Sequence, residues 1–168
     1  MLQQELGRLA RRALCAFLPR LAVCLPSLDR EELGLAGEEL AARALARAGW
    51  RVLGRRVRTP RGEVDLFVER GPVRAVVEVK AGRLPVGLEP AAQRFPPGLR
   101  VDEARLARLR RAARFLGVRE GRVDLVEVVV HPRGLRVELR HHAALRSAPG
   151  RAAPRARWPR GVPRPGRP

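Results

Sequence analysis

The chain has 168 residues, 45% of them hydrophobic, which is enough for one globular domain with a core and short extensions. Its formal charge of +18 and isoelectric point near 11.8 indicate a polyanionic partner, nucleic acid above all, with an anionic membrane surface as the weaker alternative. The two cysteines are too few for a disulfide framework or a zinc site, and no apolar run approaches the roughly 20 residues of a membrane span.

The N-terminal segment, residues 1–28, is predicted to be an amphipathic appendage. Arginines precede a short apolar stretch in the manner of a signal peptide, but Pro19 and Arg20 interrupt that stretch. We therefore expect a cytoplasmic protein, in which Cys15 and Cys24 remain unpaired thiols.

A first long helix is predicted from about Asp29 to Ala48, because its apolar residues recur at a helical period and Gly49 follows as a stop. Three strands follow, separated by turn sequences rich in glycine and proline. Their predicted ranges are 50–58, 63–69 and 73–80.

Residues 81–99 contain four prolines and are predicted to be a loop beside the strands. A second helix follows over 102–116, with Asp102 as its N-cap and Gly117 as its stop. The last two predicted strands are 122–130 and 135–140. The order α-β-β-β-α-β-β predicts an α/β domain over residues 29–142, with a sheet flanked by helices. Residues 143–168 are rich in arginine and proline and are predicted to be a disordered basic tail.

Lys80 is the only lysine in the chain, whose 35 basic residues are otherwise arginines. Arginine stays protonated under ordinary conditions, whereas the pKa of a lysine responds to its surroundings. The lysine ends an apolar strand as Glu78-Val79-Lys80, and a Glu-x-Lys with an aspartate on a preceding strand is typical of metal-dependent nucleases. The alternative is that an arginine-biased composition left one lysine at a random place.

Four polar residues are predicted to share one cleft. Residues i and i+2 of a strand point to the same face, so Glu63 and Asp65 project together, as do Glu78 and Lys80. If the two strands form a hairpin, these faces converge at one end of the sheet. The alternating apolar residues are then left to pack on the opposite side: Val64, Leu66, Val77 and Val79.

Carboxylates placed together repel each other unless a cation lies between them. Mg²⁺ is commonly bound by one or two carboxylates, waters and a substrate phosphate, so Mg²⁺ or Mn²⁺ is the predicted cofactor. The predicted reaction is phosphodiester hydrolysis by a water that the ion activates, and Lys80 would orient or deprotonate that water. Taken alone, Glu63 and Asp65 could equally be surface carboxylates paired with arginines.

Four segments of the chain occur in the order of a known family: Gly37-Glu38-Glu39-Leu40-Ala41, Gly49-Trp50-Arg51-Val52-Leu53, Gly62-Glu63-Val64-Asp65-Leu66 and Val77-Glu78-Val79-Lys80. Over residues 34–130 the chain resembles the YraN family of small candidate endonucleases, related to archaeal Holliday junction resolvases and the wider PD-(D/E)XK nucleases. The resemblance implies a restriction-endonuclease-like core, with Asp65 and Glu78 as metal ligands and Lys80 as the catalytic lysine. It also implies that Glu38 faces the same site and that Glu63 supports it.

Arginines depart from the family pattern at two places. Arg56 stands where the family often has an asparagine, and Arg105 stands where many members carry a lysine in the second helix. Arg105, Arg108 and Arg111, together with Arg56, are candidates for binding nucleic acid. The alternative is that the arginines of the second helix are its solvated face.

The three histidines are expected on the surface, since they have no carboxylate or cysteine partner at ligand spacing in the sequence: His131, His141 and His142.

Together, these features predict a Mg²⁺-dependent DNA endonuclease, with Holliday junctions and other branched DNA as the substrate that the resemblance implies. Cutting both strands of a junction would favour a homodimer, and no membrane partner is expected. The alternative is a nucleic-acid-binding protein without turnover, in which the acidic cluster is structural and RNA is as suitable a partner as DNA.

Overall fold

A computed structural model describes residues 2–84, 101–131 and 136–145 of the protein, with side chains from residue 5 onward. The helices and strands in these ranges are α1 (Leu2–Phe17), α2 (Pro19–Ala22), α3 (Arg30–Arg47), β1 (Arg51–Thr59), β2 (Gly62–Arg70), β3 (Val73–Arg83), α4 (Glu103–Phe115), β4 (Val123–Val130) and β5 (Val137–His142). A 3-10 turn, Arg119–Gly121, joins α4 to β4. The predicted order α-β-β-β-α-β-β is confirmed from α3 onward.

The two long predicted helices begin and end where their capping residues stand. At the start of α3, the Asp29 carboxylate accepts from the N–H of Glu32 at 2.8 Å, and the Glu32 carboxylate accepts from the N–H of Asp29 at 3.1 Å. This reciprocal capping box satisfies two N–H groups that the helix leaves free. At the start of α4, the Asp102 carboxylate accepts a single capping hydrogen bond from the N–H of Arg105, at 2.6 Å. Gly49, with φ of 83°, follows the C-terminus of α3.

The five strands form one mixed sheet in the order β1-β2-β3-β4-β5. All neighbours are antiparallel except β3 and β4, which are parallel and are joined by the crossover through α4. The α3 helix packs on one face of the sheet, with α1 and α2 outside it, and α4 packs on the other. The predicted mixed sheet flanked by helices is therefore confirmed, and it is consistent with a restriction-endonuclease-like core.

Strand alternation divides the core as predicted, with one exception. Leu66, Val77 and Val79 pack in the cluster on the α3 face. Val64, which the alternation predicts beside them, packs instead with Leu106 on the α4 face. Opposite this point on β1, Arg56 has a φ of 48° and lies between the pairs Arg55 with Leu66 and Val57 with Val64.

One predicted boundary is wrong, because β3 runs on to Arg83 and takes residues 81–83 from the predicted loop. The extension is held by the parallel ladder to β4, up to the pair Arg83 and Val130. Residue 84 follows the strand, and the rest of the predicted loop, residues 85–99, lies outside the described residues, as does the basic tail from residue 146 onward.

The N-terminal helices share the α3-face core, to which Cys15, Ala22 and Val23 each contribute a fully buried side chain. Cys15 and Cys24 are unpaired, as expected. The division of the chain near residues 28 and 142 stays a prediction. Among the described helices, we find none with the length and apolar character that crossing a membrane requires.

Candidate active site

The site lies where β2 and β3 part. Their hydrogen-bonded ladder ends at the pair Leu66 and Val77, after which β2 pairs only with β1, and β3 only with β4. Just past this last pair, the Asp65 carboxylate accepts a hydrogen bond from the N–H of Val79 at 2.7 Å. We call this place, residues 62–65 of β2 and 78–83 of β3, the strand fork.

Glu78 is the most deeply buried carboxylate at the strand fork, with 1% of its surface exposed. The Nζ of Lys80 lies 2.6 Å from Oε1 of Glu78, on the same face of β3, as strand alternation predicts. Arg105 approaches from α4, and its Nη2 lies 2.8 Å from Oε2 of Glu78. A buried carboxylate needs such compensation, because an unpaired charge in the core costs several kcal/mol.

The pKa of Asp65 is raised from 3.8 to about 6. Burial is the main cause, and repulsion from the charge of Glu78 adds to it. The hydrogen bond from Val79 and the charges of Arg105 and Lys80 oppose the rise in pKa without cancelling it. The charges of Asp65 and Glu78 therefore repel one another at the strand fork.

Glu38 reaches the same region from α3. Burial raises the pKa of Glu38 from 4.5 to about 7, and repulsion from Asp65 and Glu63 contributes, against the opposing charge of Arg56. The helix comes close to the sheet because Gly37 has no side chain: a Cβ at Gly37 would lie 2.5 Å from the Cβ of Ala81 on β3.

The Glu63 carboxylate is held by arginines of β1. Its Oε1 lies 3.1 Å from Nε of Arg56, and its Oε2 lies 3.7 Å from Nε of Arg58. The predicted supporting role of Glu63 in the site stays a prediction.

The candidate nucleic-acid-binding arginines have different surroundings. Arg105 is bound to Glu78 and Arg56 to Glu63, so both belong to ion pairs around the strand fork. Arg108 and Arg111 are exposed on α4. Their predicted contact with nucleic acid stays a prediction.

Sequence reasoning missed one carboxylate beside Lys80. Glu127 on β4 is buried and is the register partner of Lys80 across the parallel ladder. The Nε2 of His142 on β5 lies 2.7 Å from Oε2 of Glu127. This pair extends the polar surface of the α4 face from β3 to β5.

A second buried carboxylate, Asp124, lies on the opposite face of the sheet and is fully enclosed. It accepts two hydrogen bonds from Arg122, at 2.9 and 3.1 Å, and one from the N–H of Ala144 at 2.8 Å. The Nε2 of His141 lies 2.9 Å from its Oδ2. Asp124 is thus a saturated structural group.

The expectation of surface histidines holds for His141 and His142, which are exposed, and is wrong for His131, which is buried with its Nε2 3.4 Å from Glu138. His141 and His142 nevertheless each contact a buried carboxylate, which the sequence did not predict. The partners of His141 and His142 are 17 and 15 positions away in the sequence, and they meet because β4 and β5 form a hairpin. One signal was present: two acidic residues interrupt the apolar run 123–130, and buried charges are almost always paired.

The chemistry of Asp65 and Glu78 fits a hard divalent cation. In the described ranges, no three side chains of His, Cys, Asp or Glu come together as a metal-binding group. Mg²⁺ does not need such a cage, because it is bound through one or two carboxylates with waters and substrate phosphate. The repulsion that raises the pKa of Asp65 is the kind that a divalent cation relieves.

Comparison with known proteins gives the family. The family described as Uncharacterised protein family UPF0102 matches residues 37–128, from the glycine before Glu38 to the middle of β4. A UPF0102 protein of Rhizorhabdus wittichii is 41% identical over 104 residues, which is 58% of this chain and 80% of the relative. A UPF0102 protein of Thermus thermophilus is 42% identical over 105 residues, covering 60% of this chain and 87% of the relative. One of Kosmotoga olearia is 36% identical over 98 residues, covering 55% and 77%. The chain therefore belongs to the UPF0102 family, which is the YraN family that its motifs resemble.

Proposed function

We propose that the protein is a metal-dependent endonuclease that hydrolyses phosphodiester bonds in DNA and acts in the cytoplasm. The observation that carries the proposal is the buried Glu78, which lies beside Asp65 and has the chain's only lysine 2.6 Å from its carboxylate. A buried cluster of charged groups that includes a carboxyl with a raised pKa, here Asp65, is more common at catalytic sites than elsewhere.

Asp65 and Glu78 would hold Mg²⁺ or Mn²⁺. Once bound, the ion would polarise the phosphoryl oxygen and lower the pKa of a water. The Glu78 carboxylate keeps the Lys80 ammonium at the strand fork, where it can orient the attacking water or offset charge that develops on the phosphate. Arg105 fixes the other oxygen of Glu78 and adds a second positive charge from α4.

Glu38 and Glu127 are further groups that could handle protons. The raised pKa of Glu38, about 7, suits a group that takes up and releases a proton near neutral pH. Glu127 is bound to His142 and lies next to Lys80 in the sheet register.

Nucleic acid is the substrate class that the charge supports. The formal charge of +18 supplies attraction for phosphates that weakens as salt is added. Within that class we propose DNA, and branched DNA such as a Holliday junction in particular. A homodimer would allow both strands of a junction to be cut.

A second candidate function is binding of DNA or RNA without turnover. One observation favours it: both oxygens of Glu78 are already engaged by Lys80 and Arg105, which neutralises the carboxylate without a metal. In that case the cluster would only stabilise the fold beneath a basic surface.

Cleavage of supercoiled plasmid and four-way junction DNA, with and without Mg²⁺ or Mn²⁺, separates the two functions. We expect nicking that requires the metal and falls by at least about 100-fold in Lys80→Ala, a loss typical of removing a catalytic proton-transfer group. A loss at least as large is expected in Asp65→Asn, which removes a charged metal ligand. Glu5→Gln is a matched control, since Glu5 is an exposed carboxylate on α1.

Cleavage that survives in both site variants would contradict the nuclease proposal, as would an inactive wild-type protein. If the variants retain salt-dependent binding while no protein cleaves, the binding function is the correct one. Lys80→Arg adds a finer comparison, because it keeps the positive charge but not a readily transferred proton.

A further inference from the structure

An arginine-lined cleft lies at the other end of β3 from Lys80. It has a volume of about 720 Å³ and is formed by the start of β3, the C-terminal half of α4 and the 3-10 turn. We call it the arginine cleft, after the five arginines that line it: Arg74, Arg110, Arg114, Arg119 and Arg122. Glu120 is the one acidic residue among the described residues of its lining.

The positive charge of the arginine cleft is only partly compensated. Arg74 pairs with Glu69 at 3.2 Å, and Arg122 pairs with Asp124 at 2.9 Å. Arg114 and Arg119 form no ion pair within residues 2–84, 101–131 and 136–145, and both are exposed. A surface that keeps such charges together is stabilised when an anion enters it.

The shape of the arginine cleft depends on a glycine. Gly121 has a φ of 63°, and a Cβ there would lie 3.0 Å from the carbonyl oxygen of Arg110 and 3.3 Å from the side chain of Arg114. The close approach sets the 3-10 turn against α4. Arg110 also donates to the carbonyl oxygen of Leu145 at 2.9 Å, which attaches the end of the described chain to the same wall.

The occupant must come from a partner that carries negative charge. Leu145 lines the arginine cleft, and the chain that follows it has seven arginines and no acidic residue over 146–168. That segment therefore has no acidic side chain with which to neutralise the arginine cleft. Guanidinium groups match phosphate oxygens in geometry, because they donate two parallel hydrogen bonds.

The arginine cleft and the strand fork lie on the same face of the sheet. Arg74, Glu78 and Lys80 are separated by even numbers of residues on β3, and α4 runs from Arg105 at the strand fork to Arg114 at the arginine cleft. At 3.3 Å per residue, Val73 and Lys80 are about 23 Å apart. Successive phosphates of one strand advance about 3.4 Å along a duplex, so this span corresponds to about seven base pairs.

We infer that the arginine cleft binds the phosphodiester backbone of the nucleic acid substrate about seven base pairs from the bond that is cut. The inference rests on the proposed function for the position of that bond. Backbone contact of this kind fixes the orientation of the nucleic acid without reading its sequence.

The test measures binding separately from cleavage. A fluorescent duplex of about 18 base pairs, long enough to span both places, is titrated with full-length protein carrying Lys80→Ala, in EDTA and over a range of salt. We expect Arg114→Gln/Arg119→Gln to weaken binding about tenfold at moderate salt. The slope of log affinity against log salt should fall by about 2, one for each phosphate that the variant no longer neutralises.

The matched control is Arg30→Gln/Arg47→Gln, which removes two exposed arginines at the two ends of α3, on the opposite face of the sheet. Its effect on affinity should be below about twofold, and its salt slope should be nearly unchanged.

Equal behaviour of the two double variants on the long duplex would overturn the inference, as would absence of binding by the parent protein. The proposed function is judged by a different result, the metal-dependent cleavage by the wild type. If the wild type does not cleave DNA but Arg114→Gln/Arg119→Gln weakens binding, the inference about the arginine cleft is supported and the nuclease proposal is contradicted. Thermal unfolding of each variant establishes that it is folded.

Discussion

At the strand fork, two acidic side chains hold protons at pH values where free carboxylic acids are ionised. The pKa of Asp65 is about 6 and that of Glu38 about 7, in both cases chiefly because burial penalises the charged form. For such a group, the folded protein binds more protons than the unfolded chain between the two pKa values. Stability is therefore lost as the pH rises through that range.

Glu38→Gln should stabilise the protein at pH 8. The substitution removes a charge whose cost to folding grows as the pH rises from 4.5 to about 7 and is fully present at pH 8. Neighbouring solvent reduces the gain to about 1 kcal/mol, or about 3 °C in the melting temperature. Thermal unfolding at pH 5 and pH 8 measures it, and the gain should shrink at pH 5. A Glu38→Gln protein that is less stable than wild type at pH 8 would contradict the assigned pKa.

Single residues of the site differ in how far the sequence could reveal them. Lys80, Glu78 and Asp65 could be recognised, because composition and strand alternation are local properties. The contact between Arg105 and Glu78 could not, since it joins α4 to β3 across 27 positions. Sequence favoured a solvated or DNA-facing Arg105, whereas burial of Glu78 draws the guanidinium inward.

At the scale of elements, the approach of α3 to β3 determines whether Glu38 reaches the strand fork. Gly37 and Ala81 permit that approach, since a Cβ at Gly37 would be only 2.5 Å from the Ala81 Cβ. Gly34 lies one turn earlier on the same helix, and a Cβ there would meet nothing within 4 Å.

Gly37→Ala should destabilise the protein by about 1–2 kcal/mol, because overpacking outweighs the better helix propensity of alanine. Gly34→Ala, the control, should instead stabilise it by up to about 1 kcal/mol. Urea unfolding measures both changes. Adding Ala81→Gly to Gly37→Ala should restore part of the loss, and equal stability of the two alanine variants would rule out the steric contact.

The order and approximate bounds of the helices and strands were largely predictable, because helix caps, turn residues and hydrophobic periodicity depend on residues only a few positions apart. The N-caps Asp29 and Asp102 and the stop at Gly49 are examples. The C-terminal end of β3 was not predictable. Gly82 argues against a strand there, and the strand end is held by hydrogen bonds to β4, some 47 positions away in the sequence. Local signals do not report a partner that distant.

At the scale of the whole molecule, Asp124 joins parts of the chain that are far apart in sequence. It binds Arg122, His141 and the N–H of Ala144, and the guanidinium of Arg122 lies 5.5 Å from the ring centroid of Trp50. Burial would raise the pKa of Asp124, but the hydrogen bonds from His141, Arg122 and Ala144 outweigh burial and lower it from 3.8 to about 2.

Asp124→Asn should cost about 2–3 kcal/mol of unfolding free energy at pH 7, since it removes the charge that these donors surround. The wild type should also lose this stability as the pH falls from about 4 to about 2, because the folded pKa lies below the unfolded value. Denaturant unfolding across that pH range should show that the free energy of unfolding of the variant changes less with pH than that of the wild type. Glu120→Gln, at an exposed carboxylate, serves as the control. If it lowers the free energy of unfolding as much as Asp124→Asn does, Asp124 does not have the stabilising role assigned to it.

The overall charge and the order of elements were predictable from the sequence, and so was the family. The difference in charge between the two ends of β3 was not predictable from the sequence. The Glu78 end brings carboxylates together, whereas the Val73 end brings arginines together, and both arrangements require β3, β4 and α4 to be assembled. Counting charged residues in a sequence gives the net charge of the protein but not where positive and negative side chains gather in the fold.

The parting of β2 and β3 has one more consequence. The hydrogen bond from the Val79 amide to Asp65 continues the contact between the two strands just beyond the last pair of their ladder. If Asp65 holds a cation as proposed, the same carboxylate would bind the ion and the Val79 amide. The amide proton resonance of Val79 should then shift when Mg²⁺ is added, which would report binding at the site without any measurement of cleavage.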